Sequence, residues 1–363
     1  MGNIIDYVRD FGNRKIEEYP FSDVDALVLC QFFYMQFEKV NLGLEEKMCS
    51  IQEVIGHLDK LVEGFRNPEK NIELAKLMAE SERFKNLKIG NFKNVYRKKF
   101  DTSFQAMCFQ LEAGITNIIY RGTDNTMTGW KEDAQLVYKK EIMAQSIGFG
   151  YAIQSMIKFG GKFRIIGHSK GGNLATFVGS LLSEESQYII EVIDLDGPGS
   201  LTELDLSHLK GKYKKICPHE AIIGLLVETH FDRITIVSAS GYYLLQHDPY
   251  CWDINENGEF IYMDDVGENA KFIYRLVSGW TSITPGKSLQ RFINLIFGLF
   301  ERVEVDNITK INASSLYLAG KEYFRLPAME RKVVRKIVKD LNSSYIHAWE
   351  KYFKSLKEKV KTV

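Results

Sequence analysis

Phe163-Arg164-Ile165-Ile166-Gly167-His168-Ser169-Lys170-Gly171-Gly172-Asn173-Leu174-Ala175 is an apolar run, a turn of small residues and the start of a helix-forming stretch. A strand that reverses into a helix within two residues drives its central residue toward strained backbone angles. Glycines two before and two after leave room for the crowded main chains. The Ser169 hydroxyl is then held above the sheet. The main-chain N–H of Lys170, at the helix N-terminus, points the same way and is suited to stabilising an oxyanion. A phosphate cradle is the competing reading, but the chain lacks the G-x-x-x-x-G-K-[ST] pattern of a nucleotide loop here.

Working outward, residues 1–85 read as helical. Phe21-Ser22-Asp23-Val24-Asp25 looks like a helix start, and Glu45–Phe65 and Asn71–Phe84 carry helical spacing. Phe104–Leu111 and Ile115–Tyr120 read as a hairpin about Glu112-Ala113-Gly114. Helices are predicted at Trp130–Val137 and Ser146–Phe159, then the serine strand and its helix. Further strands are predicted at Tyr188–Leu195, Tyr213–Cys217 and Arg233–Ser238, with a helix at Ala221–Val227. From about 265 the chain is helical again. Strands alternating with helices imply an α/β fold with a mainly parallel central sheet, reactive groups at the carboxyl ends of the strands, and helical additions at both ends. We expect three segments in one compact domain: a helical segment 1–85, an α/β core 86–280 and a helical segment 281–363.

A serine needs a base, and the base needs an orienting acid. On a strand–turn–helix elbow these follow in the order Ser, Asp or Glu, His. His247, after the last core strand in Gln246-His247-Asp248-Pro249, stands where the base belongs. His168 adjoins the serine and reads as packing. Strand counting favours Glu220 as the acid, with Glu228, Asp196, Asp232 and Asp248 as alternatives. The strand Ile118–Tyr120 runs into Arg121-Gly122-Thr123, so Thr123 can supply the second oxyanion N–H beside that of Lys170. Arg121 is expected to pin this loop by pairing with an acid such as Asp133. The Lys170 charge is expected to favour an anionic group on the substrate.

The 47 basic residues equal the 47 acidic ones, and a net charge of zero gives no reason to expect nucleic acid as a partner. The five cysteines have no paired spacing, and they read as reduced thiols of a cytoplasmic protein. Neither cysteines nor histidines have ligand spacing, so no metal and no cofactor is expected. The chain start shows no signal-peptide pattern. Phe292, Leu295, Ile296, Leu299 and Phe300 form an apolar stripe at helical spacing. It reads as a helix packed on the core in preference to a lid or membrane contact. Oligomeric state is left open.

Tyr120-Arg121-Gly122-Thr123, then Trp130 with Asp133, then Gly167-His168-Ser169-Lys170-Gly171-Gly172, then Asp196-Gly197-Pro198-Gly199 resemble, in that order, the motifs of class 3 lipases. The wider pattern is similar to a lipase-like bacterial α/β-hydrolase family, the Mbeg-like proteins. Phe21–Leu27 and Gln246–Pro249 with Trp252 belong to that likeness, which covers about 20–280. The resemblance implies an α/β-hydrolase fold and hydrolysis of carboxylic esters, lipids among them. It implies Ser169 as nucleophile, His247 as base, and Thr123 with Lys170 as oxyanion donors. Two residues depart from the class 3 pattern: Glu220 stands where Asp is usual, and Lys170 where a neutral residue is usual. The rival expectation is a non-catalytic or interaction protein that keeps the fold.

Overall fold

The computed structural model describes residues 2–64 and 66–361, the side chains of 355–361 excepted. Two helices open the chain, α1 (Ile4–Phe11) and α2 (Asp23–Phe33). Each begins at a reciprocal cap, Asn3 with Asp6 and Ser22 with Asp25. The predicted start at Phe21–Asp25 is therefore a capping box. Asp25 does more than cap: it is fully buried and takes a salt bridge from Arg83 and a 2.9 Å hydrogen bond from the Tyr7 hydroxyl. The predicted helix at Glu45–Phe65 is instead a short strand β1 (Met48–Ser50) and two short helices, α3 (Ile51–Ile55) and α4 (Leu58–Leu61). Phe65 lies outside the described residues. Helix α5 (Pro68–Glu80) follows.

The rest of the sheet is β2 (Lys88–Arg97), β3 (Thr102–Glu112), β4 (Ile115–Tyr120), β5 (Lys162–His168), β6 (Ile189–Leu195), β7 (Tyr213–Pro218), β8 (Ile234–Val237) and β9 (Tyr262–Met263). Helices α6 (Met127–Gln135) and α7 (Met143–Phe159) lie between β4 and β5, and α8 (Lys170–Leu181) lies between β5 and β6. The described strands form one sheet in sequence order. Pairing is parallel from β4 to β8 and antiparallel at every other junction, so the sheet is mixed and not mainly parallel. The cause is local. The two-residue turn Ala113-Gly114 leaves no room for a crossover, so β3 and β4 must run antiparallel, whereas β4–β6 are joined through helices. The predicted helix at Ala221–Val227 is only a 3₁₀ turn, Ile223–Leu225.

Parallel strands are buried on both faces and need two covers. Ile119, Ile166, Ile193 and Ile216 face α1, α2 and α5; Ile118, Ile165 and Val192 face α7 and α8. The alternation of one residue per face follows from the period of two. Helix α2 is buried almost all round, as the middle layer between sheet and outer helices must be.

Four helices close the described chain: α9 (Glu268–Ile283), α10 (Gly286–Arg302), α11 (Ala313–Arg325) and α12 (Ala328–Lys361). The α10 stripe packs largely within this group, Leu299 meeting Ala319 and Leu326, with Leu295, Ile296 and Phe300 around them. Among the described residues no helix is long and apolar enough to cross a membrane. After α10 the chain returns to the sheet: the Met127 N–H donates to the Asp306 carbonyl at 2.8 Å, and the Ile308 N–H donates to the Asn125 carbonyl at 2.9 Å.

Candidate active site

The loops after β4, β5, β6, β7 and β8 meet at one edge of the sheet. At the end of β5, Ser169 adopts φ +60° and ψ −132°, a conformation that costs a side-chain-bearing residue of order 1–3 kcal/mol. A Cβ at Gly167 would collide with the Gly171 carbonyl, and one at Gly171 with the Tyr120 carbonyl at the end of β4. The two glycines are therefore required by close main-chain approach. They let α8 start immediately against two strand ends, with the Lys170 N–H in its first turn, where a helix offers no internal acceptor.

His247 ends a 3₁₀ turn, Tyr243–His247, after β8. Its neighbours fix that turn. The buried Trp252 Nε1–H donates to the Gln246 carbonyl at 3.0 Å, and the Gln246 amide donates to the Ala239 and Gly241 carbonyls. His247 Nδ1 lies 2.6 Å from Asp196 Oδ2. A carboxylate only accepts, so this contact places the imidazole proton on Nδ1 and leaves the Nε2 lone pair free of it. Asp196 is wholly buried at φ +52°. Its other oxygen accepts the Gly224 N–H at 3.0 Å, which fixes the carboxylate plane.

Glu220 is elsewhere. Its carboxylate accepts the Ala270 N–H at 3.2 Å in the first turn of α9, and its own N–H donates to the Gln246 side chain. Strand count favours Glu220, but the carboxylate that the structure brings to His247 is Asp196, one of the alternatives. The remaining candidates are also otherwise engaged or turned out. Glu228 is paired to Lys215 at 2.6 Å, Asp248 accepts from Asn67 and Tyr250 N–H, and Asp232 sits exposed before β8.

Thr123 follows β4 beside the elbow. Its hydroxyl donates to Asp133, and burial pushes the Asp133 carboxyl up to about 6 against the pull of Lys170. The expected Arg121–Asp133 pair is absent among the described contacts. Arg121 instead donates to Gln105 and Glu38. Lys170 also departs from expectation. Its ammonium is buried, donates to the Ser103 carbonyl at 2.7 Å and pairs with Glu132 at 3.2 Å. Burial works against this charge, but Glu132, Asp133 and Asp124 overcome it and hold the amine above its usual range. That charge is buried and paired inside the protein. His168 is buried, with Nδ1 2.8 Å from the Tyr34 hydroxyl and its ring 4.6 Å from that of His247. Burial first, and then the His247 charge, push it far below the usual histidine range, so it is neutral.

Ser169, His247, Thr123 and Lys170 line one cavity of about 450 Å³. Its apolar walls include Leu136 and Val137 after α6, Ile223 and Leu226 after β7, and Phe297 and Ile308 from the C-terminal segment. Among the described residues no cluster of His, Cys, Asp and Glu could hold a metal.

A family model described as Mbeg1-like matches residues 78–298. The chain belongs to the Mbeg1-like family. Among solved structures, a crystal structure of M37 lipase is similar at 14% identity, over 56% of this chain and 69% of that chain, with a TM-score of 0.39. No curated protein matches. In this Mbeg1-like chain the matched span holds Thr123, Ser169, Asp196 and His247, whereas Tyr34 and Ile308, which also line the cavity, lie outside it. Tyr34 and the Asp133–Thr123 link escape a reading by motif. The first comes from a helix far away in sequence, and the second is visible only as the spacing of Thr123, Trp130 and Asp133.

Proposed function

We propose that this Mbeg1-like protein is a serine hydrolase of the α/β-hydrolase type, cleaving carboxylic esters, lipid esters among them, through an acyl-enzyme on Ser169. The observation that carries the reading is His247, paired through Nδ1 to the buried Asp196 and lining the same cavity as a serine held at positive φ. His247 Nε2 takes the Ser169 proton as Oγ attacks the ester carbonyl. The developing oxyanion rests on the Thr123 and Lys170 N–H groups. The alcohol leaves with the proton from His247. Water then gives its proton to His247, attacks the acyl group and releases the acid. Asp196 holds the imidazole tautomer and stabilises its cation. The Thr123 hydroxyl is tied to Asp133, which keeps its main-chain N–H in place. We read segments 1–85, 86–280 and 281–363 as one catalytic unit, because the apolar walls of the cavity come from the last two and Tyr34 comes from the first.

The test is labelling with a fluorophosphonate and hydrolysis of 4-nitrophenyl butyrate. Ser169→Ala should abolish labelling and lower turnover by about 10³-fold or more. Full labelling of that variant would remove Ser169 from the mechanism.

A further inference from the structure

The charged groups that line the cavity are matched, with one exception. Lys170 is paired to Glu132, Asp133 accepts from Thr123, and His247 meets Asp196. Asp248, the carboxylate on the same side as Arg66 and Asn67, accepts from the Asn67 side chain and the Tyr250 N–H, each at 3.1 Å. Arg66 differs. It lines the cavity and is exposed to solvent, and only its carbonyl is engaged, by the Asn71 side chain at 2.8 Å. Among the described residues its guanidinium has no ion pair and no hydrogen bond. Its charge nevertheless reaches the floor of the site. Burial and the His247 charge lower the His168 pKa, and Arg66 adds to that lowering; burial raises the Tyr34 pKa, and Arg66 opposes that rise.

We propose that Arg66 forms an anion subsite of this cavity, so that the substrate is an ester with an apolar chain and a phosphate or carboxylate group. The inference rests on the hydrolase reading. A guanidinium is always charged and offers a planar fork that fits the oxygens of either anion two at a time. At the mouth of an apolar cavity that attraction is less screened than on an open surface. The chain then lies along Leu136, Val137, Ile223 and Leu226, while the anion stays at the entrance. A neutral ester of the same shape gains the apolar contact only. The burial of Lys170 makes Arg66 the cation available for this task among the described lining residues.

Two ester pairs test it, each differing in one anion. 4-Nitrophenyl butyrate against 4-nitrophenyl hemisuccinate places the anion on the acyl side. A monoacylglycerol against its 3-phosphate places it on the alcohol side. The wild type should favour the anionic member of at least one pair by about tenfold in kcat/KM, and the pair that responds identifies the source of the anion. Arg66→Gln should abolish that ratio and Arg66→Lys should restore part of it. The ratio should also shrink with added salt, which a merely structural role would not produce. Equal rates within both pairs, or a preference that survives in Arg66→Gln, overturn the subsite. Ser169-dependent cleavage without anion preference defeats the subsite alone. Absence of both labelling and cleavage defeats the hydrolase reading and the subsite with it.

Discussion

Asp196 and Glu220 are carboxylates at the carboxyl ends of neighbouring strands, and the segments that follow them set them to different tasks. After β6 the chain turns at once through Gly197-Pro198-Gly199. Asp196 takes a left-handed conformation, is buried, and is aimed along the sheet edge at His247. After β7 the chain runs on toward the 3₁₀ turn at Ile223, and Glu220 is turned outward to the first turn of α9. Position along the strand order is nearly the same for both. What separates them is which element lies within reach of the side chain, and for Glu220 that element is a helix N-terminus, where a carboxylate is welcome.

Substitution at Asp196 should separate the two most sharply. Asp196→Asn keeps the shape but lets the amide donate toward Nδ1, which favours the wrong imidazole tautomer. Turnover of 4-nitrophenyl butyrate should fall by about 10³-fold or more while the protein stays folded by circular dichroism. Turnover near wild type would put the orienting acid elsewhere. Asp194, two residues earlier on the same strand, shows what burial does without a histidine. Burial pushes its carboxyl up to about 6 despite Lys215 nearby. The folded protein keeps this proton where the unfolded chain, with a pKa near 4, has released it. Its contribution to stability is therefore complete below pH of about 4 and is lost as the pH rises through 6. Asp194→Asn should reduce the fall in unfolding free energy between pH 4.5 and pH 7 by roughly 1–3 kcal/mol, measured by urea titration. An unchanged fall would show that Asp194 is ionised throughout. Glu220→Gln should have the smallest effect. It weakens a helix-terminus interaction by about 0.5 kcal/mol, visible as a small drop in Tm, with turnover close to wild type. A loss of turnover as large as that of Asp196→Asn would reverse the comparison.

Much of the parallel part of the sheet was legible, because buried strands are short apolar runs and the serine turn has a small-residue pattern with a steric cause. Ser169 and His247, singled out by that pattern and by chain order, line one cavity in the structure. Of the antiparallel part, the hairpin of β3 and β4 was legible from its turn at Glu112-Ala113-Gly114, whereas β1, β2 and β9 were not. In β2 the register slips between Gly90 and Lys93, so Ile89 and Phe92 face the same side although they are three residues apart. A bulge of this kind breaks the alternation by which a strand is recognised. Strand β1 is three residues long, too short for alternation to register. Glu220 was ranked ahead of Asp196, which lies against His247, because Gly197-Pro198-Gly199 signals a turn but not the direction in which the residue before it points. The fate of the Lys170 charge could not be read either. Its partner Glu132 lies 38 residues earlier, in α6, and the pair forms only when the fold brings the two side chains together.

The hydrogen bonds between Asn125–Met127 and Asp306–Ile308 bear on where this protein can be cut. A fragment ending at 298, where the family match stops, would carry Ser169, Asp196 and His247. It would also leave the Asn125 carbonyl and the Met127 amide without partners, two residues and four residues past Thr123, and would strip the Ile308 side from the cavity. Shared ancestry and mechanical integrity thus mark different borders on the same chain. The piece to express, transplant or fuse is the longer one.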